Sequence, residues 1–130
     1  MGIKMWNQMI VVVGMLMCLA SAALAEQGTA TFYKQPYTPS ACFGQQDNGV
    51  LIAGASDQIW NARKACGTRY RVKCIGGANT APHPCKDGTS VDVKIVDYCQ
   101  SCNGTINLSD VAFSKIASLE AGKIRVEYDR

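Results

Sequence analysis

The chain reads as a small, mostly β domain closed into a barrel and stapled by disulfides, and three observations carry that reading. Short apolar–polar alternations recur at 28–33, 70–74, 91–95 and 124–128, separated by turn dipeptides. Only two brief stretches have helical spacing, one near Ile59 and one near Phe113. Six cysteines, an even set, follow an N-terminal segment that has the marks of an export signal. Several short strands with two brief helices in a domain of this length suggest a closed barrel rather than an open sheet.

The N-terminal segment sets the compartment. Lys4 supplies a positive start, Met9 to Ala20 is apolar, and Ala23-Leu24-Ala25 offers small residues at a cleavage site. The apolar run falls short of the ~20 residues that a membrane span needs. Residues 1–25 are therefore expected to be a signal peptide, which takes Cys18 with it, and 26–130 a single domain with no membrane span. Cys42, Cys66, Cys74, Cys85, Cys99 and Cys102 then stand in an oxidising, extracellular compartment. The formal net charge is +3, and Lys4 leaves with the signal, so the domain is nearly balanced. That balance argues against a nucleic-acid partner, which calls for a strong basic excess.

The elements follow in order. From Gly28 to Tyr33, Ala30 and Phe32 share one face, while Thr29, Thr31 and Tyr33 share the other. Pro36, Pro39 and Ser40 open a loop to Cys42. Asp47-Asn48-Gly49 is a turn, and Val50 to Ala53 is the expected strand after it. Ser56 is placed to cap a short helix carrying Ile59, Trp60 and Arg63, with Trp60 against the barrel core. Tyr70, Val72 and Cys74 alternate with Arg69, Arg71 and Lys73, a half-buried strand whose basic outer face is read as solvated. Gly76 to Asp87 lacks periodicity and reads as loop, and Val91, Val93 and Ile95 share a strand face. Ser109 caps a helix with an apolar stripe of Phe113, Ile116 and Ala117, and Ile124, Val126 and Tyr128 alternate as the last strand.

Three segments carry a family resemblance. Residues 66–74 form a C-G-x-x-Y-x-V-x-C run, 91–99 form a strand ending in D-x-C, and 108–117 read L-S-x-x-A-F-x-x-I-A. In this order they resemble the first domain of expansins and the related family-45 endoglucanases. Pro36 to Cys42 and Ala121 to Val126 further resemble plant natriuretic peptides, single-domain relatives of expansins catalogued as endoglucanase-45-like domain proteins. The resemblance covers nearly all of 28–128, and the chain ends about where that first domain ends. It implies a six-stranded double-psi β-barrel.

The same resemblance implies disulfides and a site. Spacing alone leaves about 15 pairings for six cysteines. The expansin pattern implies Cys42–Cys66 and Cys74–Cys85, with Cys99 and Cys102 left for each other. Glycoside hydrolysis with inversion needs two carboxyls, one acid and one base. Asn107 stands where the family-45 pattern has its acid, and no Asp or Glu lies between Glu26 and Asp47, where the base belongs. The chain is accordingly expected not to be an enzyme. What the resemblance leaves is a ligand-binding groove of Thr31, Tyr33, Asp97 and Asn107, with Tyr33 offering a ring for sugar stacking. Thr and Tyr are also ordinary strand residues, and Asp97 could serve backbone N–H groups at a strand end.

Other chemistries find little support. His83, the lone histidine, lies between two prolines in a loop, and the cysteines serve disulfides better than a metal, so neither metal nor cofactor is expected. Cys99-Gln100-Ser101-Cys102 has redox-motif spacing but leaves a strand for a turn, so it reads as a staple. Asn103-Gly104-Thr105 and Asn107-Leu108-Ser109 are both N-glycosylation acceptor patterns. The resemblance implies a secreted, monomeric apoplastic protein of the natriuretic type, acting on water and solute balance through a cell-surface receptor. Its rivals are a non-hydrolytic binder or loosener of wall polysaccharide and a defence-associated protein.

Overall fold

The structure is a computed structural model that describes residues 25–130, so the expected signal, with Cys18, lies outside the described residues. Six strands form a closed barrel: β1 (Glu26–Tyr33), β2 (Ile52–Ala55), β3 (Arg69–Gly77), β4 (Val91–Tyr98), β5 (Ile106–Ser109) and β6 (Ile124–Asp129). Two short helices, α1 (Asp57–Trp60) and α2 (Asp110–Ile116), and a 3-10 turn at Leu119–Ala121 complete it. The order around the barrel is β1-β5-β2-β4-β3-β6, so every strand has a neighbour on each side. Pairs β1–β5 and β2–β4 run parallel and the other four antiparallel, which is the double-psi arrangement.

The period-2 alternations decide which side chains enter. Ala30, Val72, Val93, Ile95, Ile106, Leu108, Ile124 and Val126 are fully buried inside the barrel. Phe113 on α2 is buried too, and its ring meets that of Phe32 at 4.9 Å. This contact fixes α2 on β1. Ser109, fully buried, caps α2 by accepting from Ala112 N at 3.1 Å. Its hydroxyl also donates to the Val50 carbonyl and so joins the helix start to the turn that leads into β2.

Four boundaries differ from the sequence reading. The second strand is Ile52–Ala55, two residues later than Val50–Ala53, because Val50 and Leu51 are exposed in the turn. β3 continues through Gly76 to Gly77, where the sequence predicts loop, because β6 pairs with it that far. β5 has no counterpart in the sequence reading. The first helix stops at Trp60 and does not carry Arg63; Ser56 stands at its start without a side-chain cap bond. Asn61, Ala62 and Arg63 then take φ of 48°, 50° and 73°, a left-handed turn in three consecutive non-glycine residues.

Three disulfides staple the loops: Cys42–Cys66, Cys74–Cys85 and Cys99–Cys102, with Cα separations of 5.5, 5.4 and 5.5 Å. On the outer face of β3, Arg69, Arg71 and Lys73 are exposed. Arg71 pairs with Asp92 on β4 at 2.9 Å, and Lys73 lies beside Glu127 on β6. Acids on both neighbouring strands thus offset much of the basic face. Gly28 is required for closure, since a Cβ there would sit 2.4 Å from Oγ1 of buried Thr105.

Candidate functional site

Strand register assembles the cleft. β1 and β5 run parallel with Thr31 beside Asn107 and Tyr33 beside Ser109. β2 lies between β5 and β4, with Gly54 paired to Asn107 on one side and to Asp97 on the other. Residues far apart in sequence, on β1, β4 and β5, therefore face one opening whose floor is a glycine. Tyr33, Gly54, Asp97, Tyr98 and Asn107 line that opening, a cavity of ≈330 Å³. Thr31 is not on its surface; its hydroxyl donates to Asn107 Oδ1 at 2.9 Å and orients the amide from behind.

Tyr33 is the unusual member. Its hydroxyl is buried and makes no hydrogen bond among the described residues. Burial, then the Asp97 charge, then Tyr37, push its phenol far above the ordinary tyrosine range, so it is a neutral donor at any physiological pH. The Tyr37 ring meets the Tyr33 ring edge-on at 5.5 Å, and the Tyr37 hydroxyl donates to the Asp110 carboxylate. Burial first, and that bond second, push the Tyr37 phenol up to about 12.

Asp97 does what a strand-end aspartate does and also lines the cleft. Its Oδ1 accepts from Ala41 N and from Tyr98 N, both at 2.9 Å. Asp97 thereby anchors the loop that carries Cys42. Beyond it, Tyr98 stacks on Trp60 with ring centroids 4.9 Å apart and donates its hydroxyl to Asp57. Trp60 is half-buried, packed on the core and at the same time part of a surface aromatic pair. Arg63 lies over the Trp60 ring at 5.9 Å and donates to the Ala41 carbonyl at 2.9 Å. The left-handed turn brings this arginine back toward the loop that Asp97 holds.

Asp97 is the one carboxylate among the residues that line the cleft. The acid position of a two-carboxyl hydrolase is an amide, Asn107, already engaged with Thr31. The arrangement offers hydrogen-bond donors and acceptors and aromatic surface. A larger open depression of ≈980 Å³ lies over Glu26, Asp57, Tyr70 and Tyr128, shares no lining residue with the cleft and holds none of the expected site residues. Tyr98 and Gly54 escaped the sequence reading. Tyr98 follows Asp97 directly, and its aromatic character at a strand end was the available signal.

Comparison with known proteins places the domain. Residues 52–128 match a family model described as lytic transglycolase. An EG45-like domain containing protein of Citrus jambhiri is 52% identical over 127 residues, covering 95% of this chain and 96% of that protein. Expansin-B4 of Arabidopsis thaliana is 30% identical, over 82% of this chain and 48% of its own length. A mutant Clavibacter michiganensis expansin, solved in complex with cellohexaose, superposes with a TM-score of 0.61 at 24% identity, over 82% of this chain and 50% of that one. The chain thus spans about half the length of either expansin, and the structural likeness carries the double-psi fold. By sequence over nearly its full length, the chain belongs to the EG45-like domain-containing family, related to expansins.

Proposed function

We propose that the domain works outside the cell, as a monomer, and holds a polysaccharide chain in its cleft without cutting it. The observation that carries this reading is the cleft itself, where Tyr33, Asp97, Tyr98 and Asn107 line one opening of ≈330 Å³. Aromatic rings offer a sugar a stacking surface, and the Asn107 amide and Asp97 carboxylate offer its hydroxyls hydrogen-bonding groups. The cellohexaose bound by the Clavibacter expansin supports a β-glucan as the ligand class. The closed barrel, with no unpaired strand edge, supports the monomer.

A second reading, favoured by the resemblance to plant natriuretic peptides, is a signal for water and solute balance read by a cell-surface receptor. The segment from Tyr37 to Arg63 fits that role: much of it is exposed, and it is held by Cys42–Cys66 and by Asp97. Loops on a rigid scaffold are where recognition usually sits. One variant separates the two. Tyr33→Ala should weaken binding to insoluble cellulose several-fold, as loss of an aromatic contact of ~0.5–1.5 kcal/mol implies. If polysaccharide holding is the function, cell swelling induced by the purified protein falls with it. Swelling unchanged while cellulose binding is lost supports the receptor reading, and unchanged cellulose binding rules out the cleft as the glycan site.

A further inference from the structure

We propose that Asn103 is N-glycosylated during export and that Asn107, four residues on, is not. Both asparagines begin acceptor triplets, Asn103-Gly104-Thr105 and Asn107-Leu108-Ser109. The fold treats the two amides differently. Asn103 is exposed in the turn after Cys102, and its side chain makes no hydrogen bond among the described residues. Asn107 is half-buried in β5, with Oδ1 bound to the Thr31 hydroxyl, and it forms a wall of the cleft.

Accessibility to a transfer enzyme differs in the same direction. Opening the Asn103 triplet requires the short segment between β4 and β5 to lift, which frees buried Thr105 from Thr29, bonded to it at N and at Oγ1, and from Ser56 N at its carbonyl, but leaves the strand ladder intact. Opening the Asn107 triplet requires β5 to leave the barrel, which unpairs it from β1 and from β2 together. Ser109, the hydroxyl residue of that triplet, is fully buried, donates to Val50 O and caps α2. Local opening of a surface loop is far more frequent than loss of a central strand, so the Asn103 window outlasts the Asn107 window as the chain folds.

The product state separates them again. A glycan on Asn103 projects into solvent from an exposed turn. That turn lies against β1, where a Cβ at Gly104 would come within 3.3 Å of Thr29 Oγ1, and Asn103 does not line the cleft. A glycan on Asn107 would occupy the ≈330 Å³ opening itself. In the transfer, Asn103 Nδ2 bonds to the anomeric carbon of a lipid-pyrophosphate-linked oligosaccharide. The carbon–oxygen bond to the pyrophosphate breaks, the lipid pyrophosphate leaves with that electron pair, and the amide nitrogen gives up one proton.

The inference rests on export of the chain, and the test keeps the two apart. The full chain, with its own N-terminal segment, is expressed in cultured human cells, and the protein in the medium is treated with peptide-N-glycosidase in heavy-oxygen water. Peptide mapping should find labelled aspartate at 103 and unlabelled asparagine at 107. Asn103→Gln should abolish the mass shift on deglycosylation, and Asn107→Gln should retain it. Label at 107, or secreted protein bare at both positions, overturns the assignment. Absence of the protein from the medium overturns export, and this inference with it. Because the mapping is done on the unaltered chain, it decides the matter even where a variant fails to fold.

Discussion

Asn107 marks how a single residue type bears on what the cleft can do. An amide holds its place with Thr31 as a carboxylate would, yet it has no proton to give a leaving oxygen. Asn107→Asp would set a second carboxyl beside Asp97, yet it is expected to release no reducing sugar from soluble β-glucan, since Asp97 Oδ1 is already held by Ala41 N and Tyr98 N and no Asp or Glu lies between Glu26 and Asp47 to activate water. Sugar release above a heat-killed control from the unaltered protein would show that Asp97 alone suffices, and release from Asn107→Asp only would show that Asp97 serves as its base. Tyr37 makes a different kind of prediction. Its phenol titrates near 10 in an unfolded chain and is raised to about 12 in the fold. The folded state thus holds its proton longer, so the contribution to stability is complete below pH 10 and is lost as pH rises toward about 12. Thermal melts should fall across that window, and Tyr37→Phe should flatten the part of the fall that phenolate absorbance assigns to this residue. Thr31, Tyr33, Asp97 and Asn107 were singled out once the motifs were in register, and the fold brings Tyr33, Asp97 and Asn107 to one opening with Thr31 bonded to Asn107. Gly54 and Tyr98 were not, because which residue faces which across a barrel is decided by strand pairing that a linear pattern does not encode.

Elements with one strong signal were read well and elements with two competing signals were not. β3 and β4 alternate cleanly over most of their length, and both lie where alternation puts them. β5 also alternates, Ile106 and Leu108 inward and Asn107 toward the cleft, but it has only four residues and its last is the cap of α2. The cap signal hid the strand. The first helix fails for another reason. The sequence reading carries it on to Arg63, yet Ala65 N bonds to Trp60 O and Gly67 N to Ile95 O, so packing against β4 turns the chain left-handed instead. Such a conformation costs an L-residue with a Cβ roughly 1–2 kcal/mol, partly offset in Gly by its greater unfolded-state entropy. Ala62→Gly, at φ 50° with an exposed side chain, should accordingly stabilise the domain by about 0.5–1 kcal/mol. A urea midpoint that stays put or drops would mean that Ala62 makes contacts worth more than its strain.

For the whole molecule, cross-links and topology act on different states. By loop length alone, Cys42–Cys66, with a separation of 24, contributes about 3.5 kcal/mol and Cys99–Cys102, with a separation of 3, about 1.6 kcal/mol. Paired Cys→Ala variants should lose denaturant stability in that order, with Cys74–Cys85 between them at a separation of 11. The reverse order would place the main effect of these bonds in the native state. Topology imposes a timetable as well. Ala30 on the first strand pairs with Ile106 on one side and Ile124 on the other, so the earliest strand to emerge must wait for the last two. Contacts between such distant positions form slowly, on the order of milliseconds to seconds for β-rich domains. The short Cys74–Cys85 and Cys99–Cys102 loops can close while the chain is still being delivered, but the barrel cannot. Until β6 arrives, β1 and β3 each present an open edge able to recruit a neighbouring chain. A truncation anywhere before Ile124 would therefore do more than weaken the domain: it would turn a self-contained barrel into an adhesive sheet.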